Sequence, residues 1–211
     1  MVAARPMIDR VEDCVRRGLD IVAAGLALLV GLPLMGLMAI LIKVESPGPA
    51  ILAQWRLGQG CQPFRFYKFR TMYTDWPARF PHLARFDFEP QALDQVYLQI
   101  KDDPRVTPLG RLLRRTSIDE WPNFWNILCG DMALVGPRPE LPAMLPYYET
   151  REKFQVKPGL TCWAQVLGRG ELNFPDTVAL DIKYVRERSL WVDLSILLAT
   201  VRAVFTGKGA Y

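Results

Sequence analysis

The sequence has little of the side chains on which many hydrolytic and metal-dependent enzymes depend. Its single histidine, His82, argues against Ser-His-Asp or Cys-His catalysis and against a metal site built from several histidines. The four cysteines lie far apart and form no CxxC pair, so neither a zinc site nor a disulfide framework is expected, and a reducing compartment fits best. The phosphate loops GxxxxGK(S/T) and GxGxxG are missing, as is a DxD pair. Any chemistry must therefore use carboxylates and cations.

A strong excess of charge is also lacking. The 211 residues include 26 Lys and Arg against 22 Asp and Glu, for a net charge of +4. This balance does not indicate a nucleic-acid binder, but it suits a protein that rests against anionic phosphate. Half the residues are apolar and 23% are charged, which excludes a disordered chain and a repeat-built fibre. The length predicts one compact domain with an appendage.

One uncharged run accounts for the positive mean hydropathy of +0.06. Residues 21–42 read IVAAGLALLVGLPLMGLMAILI. As a helix, these 22 residues would be roughly 33 Å long at about 1.5 Å per residue, enough for the ~30 Å hydrocarbon core of a bilayer. The run is too long for the apolar part of a signal peptide, and no small-residue cleavage site is evident before Lys43. We therefore expect a membrane segment.

Pro33, preceded by Leu32, lies near the middle of this run and predicts a sharp bend because it removes a helical hydrogen bond. The halves at 21–32 and 34–42 are each too short to cross a bilayer. Both flanks are basic, and a re-entrant helix hairpin keeps both in the cytoplasm. The alternative, a spanning helix that tolerates Pro33, places one basic flank outside. The basic residues are Arg5, Arg10, Arg16 and Arg17 before the run, and Lys43, Arg56, Arg65, Lys68 and Arg70 after it.

The rest of the chain predicts a small domain of class α/β that is mostly helical. It begins after the turn ESPGPA at 45–50, which divides the chain into a membrane segment (1–46) and a globular domain (47–211). The last helix is amphipathic, with a stripe that either lines a core or lies in the lipid interface. A β-hairpin is expected at 51–57 and 64–72, a surface or membrane-skimming loop at 73–90, and helices at 92–101, 109–116, 118–129, 141–153, 176–188 and 190–205.

The densest group of potentially reactive side chains lies between residues 111 and 140. Asp119 and Glu120 are adjacent carboxylates, which repel each other unless a metal ion or an arginine compensates, and they offer the oxygen ligands that Mg²⁺ prefers. One of them could attack phosphorus while the other positions the ion. Arg138 lies between Pro137 and Pro139, which fix the backbone and aim a guanidinium able to grip phosphate.

Two structural interpretations compete with this chemistry. Ser117-x-x-Glu120 is also a capping box, in which the serine caps a helix and the glutamate reaches back to it. Arg111, Arg114 and Arg115 are equally consistent with a solvated helix face. The residues by themselves leave both interpretations open.

Five ordered blocks of sequence resemble the bacterial sugar transferases known as monotopic polyprenyl-phosphate phosphoglycosyl transferases, in their short form. With the RxxD pattern of Arg17 and Asp20 and the ESPGP turn, the resemblance covers nearly the whole chain. Motifs of this length and order are specific. The blocks are KFRTM (68–72), DDPRVTPLGRLLRRTSIDEWPN (102–123), GDMALVGPRPE (130–140), KPGLTCWAQVLGRGE (157–171) and GKGAY (207–211).

This resemblance implies transfer of a sugar 1-phosphate from a UDP-sugar to polyprenyl phosphate, such as undecaprenyl phosphate, with release of UMP. It implies that Asp119 is the nucleophile of a covalent phosphosugar intermediate and Glu120 its partner, with Mg²⁺ held by both. It also implies the re-entrant membrane helix with its break at Leu32-Pro33. The residues expected to bind the substrate phosphates or nucleotide are Lys68, Arg70, Arg114, Pro137, Arg138 and Pro139.

The resemblance also implies a location and a set of partners. The expected place is the cytoplasmic face of the bacterial inner membrane, at the first membrane step of exopolysaccharide or lipopolysaccharide assembly. The expected partners are the UDP-sugar, polyprenyl phosphate and inner-membrane lipid, with downstream glycosyltransferases and a homodimer as further candidates and no nucleic acid. The chain departs from the family pattern at Leu32, where a serine is usual, at Trp121-Pro122-Asn123, where Leu-Pro-Gln is usual, and at Cys162, where glycine is usual.

Two functions other than sugar-phosphate transfer are less consistent with the sequence. A catalytically silent scaffold for glycan assembly is disfavoured because Asp119, Glu120 and Arg138 are all intact. A phospholipid headgroup transferase is disfavoured by the GPRP block and by the single apolar run, since that class of enzyme has several membrane spans.

Overall fold

The computed structural model describes residues 7–83, 102–168 and 172–206. This part of the chain is mostly helical and carries two sheets of two strands each, in agreement with the predicted fold class. The elements are α1 (Met7–Glu45), β1 (Ile51–Leu57), β2 (Pro63–Phe69), α2 (Trp76–Arg79), α3 (Pro108–Thr116), α4 (Asn123–Cys129), β3 (Ala133–Val135), β4 (Gly159–Thr161), α5 (Trp163–Gly168), α6 (Phe174–Glu187) and α7 (Leu190–Thr206).

Helix α1 is one element of 39 residues, long and apolar enough to cross a membrane. Only 11% of its most apolar window is buried against the protein. The helix continues through Pro33, because a proline removes one backbone hydrogen bond and leaves the rest of the ladder in place. The two helices expected on either side of Pro33 are therefore not separate elements. Leu32 and Pro33 are both exposed on the face that points away from the domain.

The two ends of α1 are tied to the same globular body. Near the start of the helix, Arg17 donates a hydrogen bond to the carbonyl oxygen of Ile127 at 2.5 Å. Near its end, a carboxylate oxygen of Glu45 accepts from the backbone N–H of Leu109 at 2.8 Å. Between them, Ala24 is fully buried in a cluster with residues of the hairpin and α4. Helix α1 thus lies along the domain and does not project from it.

Strands β1 and β2 form the antiparallel hairpin that the sequence predicts, with Ile51 opposite Phe69. The outer edge of β2 is closed by a side chain and not by a third strand. Asn126 of α4 accepts a hydrogen bond from the Tyr67 N–H at 3.2 Å and donates one to the Arg65 carbonyl at 2.6 Å. The amide therefore satisfies the edge and fixes the hairpin against α4.

Strands β3 and β4 form a short parallel pair that the sequence analysis did not predict. Directly after β3, the backbone of Gly136 lies against that of Gly159, and a Cβ atom on either residue would overlap the other. The Gly159 N–H donates a hydrogen bond to the Pro137 carbonyl at 2.9 Å. This close approach fixes the start of the GPRPE segment at 136–140.

Two expected helices take other forms, and both were wrong as continuous helices. The segment 118–129 is a 3-10 turn followed by α4, with Pro122 at the start of the new helix. The segment 141–153 contains 3-10 turns because Pro142 and Pro146 interrupt helical hydrogen bonding. The helices expected at 109–116, 176–188 and 190–205 are confirmed as α3, α6 and α7, whereas the one at 92–101 lies outside the described residues, as does 84–90 of the expected loop.

Helix α7 turns most of its predicted apolar stripe outward; the stripe consists of Leu190, Leu194, Leu197, Val201 and Val204. Leu194 is 44% exposed and Val201 is 55% exposed, whereas Leu197 packs against the core cluster. The buried side of the helix is centred instead on Ile196, which packs with Tyr184 and Val135. Of the two alternatives for the stripe, an apolar interface is the one that its exposure allows.

Candidate active site

The adjacent carboxylates lie on a tight turn that begins where α3 ends. Ser117 ends α3 in the left-handed region of backbone space, with φ at 59°. The chain then makes the 3-10 turn Ile118–Glu120 before α4 begins. This change of direction places Asp119 and Glu120 at the junction of two helices, where both are half-buried.

The capping-box interpretation of this turn is wrong. The Ser117 side chain makes no capping hydrogen bond to the turn that follows it. The Glu120 carboxylate accepts a hydrogen bond from Arg138 Nη2 at 2.9 Å. The spacing of serine and glutamate therefore reflects two separate structural tasks.

Asp119 is surrounded by charge of both signs. Burial and the neighbouring Glu120 carboxylate raise the pKa of Asp119 to about 6, against the opposing effect of three cations. A carboxylate with a raised pKa is a better nucleophile than an exposed one and is still largely ionised at neutral pH. The three cations are Lys68, Arg114 and Arg138.

Lys68 extends from β2 and Arg114 from α3. Burial and the nearby arginines lower the pKa of Lys68 to about 8, although Asp119 opposes this shift. Arg114 Nε donates a hydrogen bond to Thr71 Oγ1 at 3.1 Å, and the side chain is half-buried. Arg111 and Arg115, by contrast, are exposed. The solvated-face interpretation thus holds for those two arginines and not for Arg114.

Arg138 projects from the segment that follows β3. Its neighbours Pro137 and Pro139 are buried, and Pro137 is anchored through its carbonyl to β4. Because proline has no N–H to offer, these residues can contribute to phosphate binding only by fixing the backbone of Arg138. Glu120 raises the pKa of the Arg138 guanidinium, which stays charged.

The end of the GPRPE segment is anchored by a buried ionic network. Glu140 accepts a hydrogen bond from the Tyr148 hydroxyl and lies 3.5 Å from Lys153 Nζ. The same ammonium lies 2.9 Å from a carboxylate oxygen of Asp181 on α6. This network has no signal in the sequence, since its members are far apart in the chain and only the tertiary fold brings them together.

The structure brings Arg70 to a different place from the other predicted residues. Its guanidinium donates hydrogen bonds to the carbonyls of Ile42 at 3.1 Å, Ser46 at 2.6 Å and Pro47. These carbonyls belong to the last turn of α1 and the bend after it, and the Ile42 carbonyl also accepts from the Ser46 N–H at 3.2 Å. The KFRTM motif thus supplies Lys68 to the charged cluster and Arg70 to the end of α1.

Arg56 of β1 is a member of the cluster that the sequence analysis assigned only to a basic flank. Burial and the charge of Arg138 lower its pKa to about 10, and it also interacts electrostatically with Glu120. Its hydrogen bonds to the Pro139 carbonyl and the Gln54 side chain are long, at 3.5 and 3.4 Å. Its Nε atom is buried and has no partner among the described residues. The strand register gives the missing signal, since it places Arg56 and Lys68 on one face of the hairpin.

Asp119 and Glu120 are adjacent carboxylates of the kind that could hold a magnesium ion together with substrate phosphates. Among residues 7–83, 102–168 and 172–206, no group of three or more His, Cys, Asp or Glu side chains converges on one point. Mg²⁺ characteristically takes one or two carboxylates and completes its octahedron with water and substrate phosphates.

The sequence is similar to those of several known bacterial proteins. The UDP-glucose:undecaprenyl-phosphate glucose-1-phosphate transferase of Caulobacter vibrioides is 43% identical over 209 residues, which cover 94% of this chain and 73% of that protein. The UDP-N-acetylgalactosamine-undecaprenyl-phosphate N-acetylgalactosaminephosphotransferase of Aeromonas hydrophila is 39% identical over 204 residues. These cover 93% of this chain but 45% of that protein, so the chain spans less than half the length of this relative.

A shorter relative matches over most of its own length. The exopolysaccharide production protein ExoY of Rhizobium meliloti is 35% identical over 198 residues, which cover 93% of this chain and 88% of that protein. Residues 11–207 also match the family described as bacterial sugar transferase. This match includes α1, the hairpin, the carboxylate turn and the GPRPE segment. The chain therefore belongs to the bacterial sugar transferase family.

Proposed function

We propose that this protein transfers a sugar 1-phosphate from a UDP-sugar to undecaprenyl phosphate, with release of UMP. The single observation that carries the proposal is the composition of the cluster around Asp119. Among the described residues, four cations act on two adjacent carboxylates, so the site has a surplus of positive charge that a pyrophosphate would neutralise. The four cations are Arg56, Lys68, Arg114 and Arg138.

Asp119 is the nucleophile in this proposal. A carboxylate oxygen of Asp119 attacks the sugar-bearing phosphorus, and the bond from that phosphorus to the bridging oxygen breaks, so that UMP leaves with the electron pair. The enzyme then holds an aspartyl phosphosugar. A phosphate oxygen of undecaprenyl phosphate attacks the same phosphorus in the second step and releases Asp119 as a carboxylate.

The cations hold the phosphates during both steps. Arg138 is half-exposed, with 37% of its side chain accessible, so it can exchange part of its contact with Glu120 for a substrate oxygen. Lys68 and Arg114 act on Asp119 from β2 and α3, and their charges also favour the anionic form of the attacking group. A positive site of this kind stabilises charge that develops on the transferred phosphoryl group.

We propose Mg²⁺ as the cofactor, held by Asp119 and Glu120. When bound, the ion neutralises phosphate charge and orients the donor. Glu120 has a second carboxylate oxygen besides the one that accepts from Arg138, and that oxygen suits a metal ligand.

The relatives support the substrates, since several carry names that join a UDP-sugar or a sugar phosphate to undecaprenyl phosphate. The names include glucose, galactose and N-acetylgalactosamine, so the sugar is not shared. The ExoY relative is named for exopolysaccharide production. We propose the same kind of role here, with a lipid-linked sugar as product and downstream glycosyltransferases as its consumers.

We also propose that α1 enters the membrane from the cytoplasmic side and does not cross it. From Arg17 to Ile42 the helix rises roughly 38 Å at about 1.5 Å per residue, which exceeds the ~30 Å hydrocarbon core. Both of these residues contact the same globular body, through Ile127 at one end and Arg70 at the other. A helix that crossed the bilayer would carry those contacts to opposite sides. The outward apolar face of α1 and the exposed stripe of α7 support a shared lipid-facing surface.

The function is tested with purified protein, a panel of UDP-sugars and undecaprenyl phosphate. With the correct sugar, UMP release requires Mg²⁺, and labelled sugar phosphate becomes attached to the protein when the lipid is omitted. Asp119→Asn removes both signals, while Asp131→Asn, a change of the same kind at an exposed site, leaves them in place. Protein labelling that persists in Asp119→Asn would move the nucleophile elsewhere, with Glu120 as the next candidate.

A further inference from the structure

The carboxylate turn is flanked on both sides by apolar residues that pack on α1. Ile118 precedes Asp119, and Trp121 follows Glu120. Both apolar side chains join the cluster formed by the second half of α1 with the hairpin and α3. That cluster has Met38, Ile42, Ala50, Phe69 and Leu113 as its buried members. The position of the two carboxylates is thus tied at both ends to the apolar helix.

Trp121 reaches α1 at a glycine. A methyl group added at Gly31 would overlap the six-membered ring of Trp121, with Cε3 only 2.7 Å away. Gly31 is buried although Val30 and Leu32 on either side of it are exposed, at 77% and 60%. The missing side chain therefore forms a notch in the helix surface, and the tryptophan ring fills it.

This notch is specific to one position of α1. Gly18, Gly25 and Gly36 lie on the same helix, yet a Cβ atom at any of them would meet nothing within 4 Å. At those positions an alanine would change helix propensity by about 1 kcal/mol or less without a new contact. Gly31 is therefore distinguished by what it touches and not by its residue type.

We propose that Gly31 is a positioning residue for the transfer reaction, acting through Trp121 on the turn that carries Asp119 and Glu120. This inference rests on the proposed function, and it adds that the apolar helix sets the geometry of the nucleophile. The backbone of Trp121 supports this path, since its N–H donates to the Ile118 carbonyl at 3.1 Å and closes the turn. A displaced indole ring therefore displaces the reacting carboxylate, and misplacement by about 1 Å can cost on the order of a hundredfold in rate.

The experiment is a double-mutant cycle in the full-length protein, reconstituted in lipid nanodiscs. Gly31→Ala lowers kcat about tenfold or more, while the KM for the UDP-sugar and the thermal unfolding temperature stay close to wild type. Trp121→Leu, which shortens the side chain so that it no longer fills the notch, lowers kcat by a smaller factor. In the double variant the added methyl occupies vacated space, and kcat returns to within about threefold of Trp121→Leu alone. Gly25→Ala and Gly36→Ala behave as wild type.

Each outcome is decisive. A Gly31→Ala enzyme with normal kcat overturns the inference. A double variant whose kcat is as low as that of Gly31→Ala, or a double variant that does not fold, also overturns it. A loss of unfolding temperature with unchanged kcat per folded molecule would make the contact a matter of stability only and overturn the positioning role. Wild-type protein that released no UMP from any UDP-sugar would overturn the proposed function instead, so the two failures are distinguished.

Discussion

Arg138 donates its hydrogen bond to Glu120, although the flanking prolines could equally have turned it towards Glu140 or Asp131. The choice matters because Glu140 is already held by Lys153 and Tyr148 in a buried network. Arg138 therefore faces the carboxylate turn, and the segment that carries it is anchored independently. Glu140 and its network thus hold the GPRPE segment in place, and Arg138 is left available to bind a substrate.

Substitutions of Arg138 and of Glu120 are expected to have different effects on the kinetics. Arg138→Lys keeps the charge but loses the two-pronged hydrogen bonding of a guanidinium, so the KM for the UDP-sugar rises about tenfold or more. The Mg²⁺ dependence of this variant stays unchanged. Glu120→Gln lowers turnover and raises the Mg²⁺ concentration needed for half the maximal rate. Initial rates measured against both ligands for both variants check this, and an Arg138→Lys enzyme that is unstable yet kinetically normal would make the arginine architectural.

Most residues of the cluster could be identified from the sequence, and the exceptions have physical reasons. Asp119, Glu120, Arg114, Arg138 and Lys68 occur in long motifs whose resemblance to a family indicates their roles. Arg56 has no such signal, because its membership depends on which face of β1 it occupies, and only the pairing with β2 decides that. For Arg70 the motif was misleading. Arg70 shares the KFRTM motif with Lys68, but it follows the last residue of β2, and its side chain binds carbonyls at the end of α1.

At the scale of elements, Asn126 joins the hairpin to α4 and so places Lys68. Asn126→Leu leaves the Tyr67 N–H and the Arg65 carbonyl without partners, and we expect the free energy of unfolding to fall by about 2 kcal/mol or more. Asn173→Ala serves as a control, since it removes one hydrogen bond from the exposed start of α6 and costs about 1 kcal/mol. Denaturant unfolding in detergent measures both. Equal losses in the two variants would mean that the edge of β2 does not depend on Asn126.

The segment that leads into α3 depends on a buried ion pair. Arg105 Nη2 lies 2.7 Å from a carboxylate oxygen of Asp103, and both side chains are nearly inaccessible. Burial opposes ionisation of Asp103, but the hydrogen bonds from Arg105 outweigh it and hold the pKa below its ordinary value of 3.8. Because the folded-state pKa is the lower one, the pair stabilises the protein above about pH 4, and this contribution is lost as the pH falls through that range.

Asp103→Asn tests this pair. At pH 7 the variant leaves the Arg105 charge buried without its partner, and we expect a loss of about 3 kcal/mol in the free energy of unfolding. The difference from wild type shrinks as the pH is lowered below about 4. Asp75→Asn, which breaks the exposed pair with Arg79, changes stability little at any pH. A difference for Asp103→Asn that did not depend on pH would assign the loss to packing and not to charge.

Elements with a strong local signal were predictable, and those stabilised by tertiary contacts were not. Helices α3 and α6 were expected at nearly their observed bounds, and in the structure the Thr107 and Asn173 side chains cap their N-termini. The three-residue strands β3 and β4 carry no periodic pattern, because they are held by parallel pairing and by the contact between Gly136 and Gly159. The 3-10 turns at Pro142–Tyr147 and Glu152–Gln155 combine both influences, since Pro142 and Pro146 interrupt a regular helix and Met144 and Phe154 are buried in one cluster.

For the whole molecule, the topology of α1 is open to a direct test with native cysteines. Cys14 precedes the apolar run and Cys129 ends α4, and both are exposed. In single-cysteine variants that keep one or the other, a membrane-impermeant maleimide added to intact spheroplasts should label neither. Both should react after permeabilisation. Labelling of Cys14 alone from outside would support a membrane-spanning α1 and contradict insertion from one side.

The contact between the first and last helices also has a consequence for how the protein is made. Arg16 Nε lies 2.6 Å from a carboxylate oxygen of Asp193, a residue 177 positions later, and the Tyr184 hydroxyl donates to the other oxygen at 2.7 Å. At roughly 5 to 20 residues per second, a ribosome needs on the order of 10 to 35 s to make the intervening chain. For most of this time α1 is complete while its partner Asp193 does not yet exist. The nascent chain must therefore keep α1 without this contact until translation of α7 supplies Asp193.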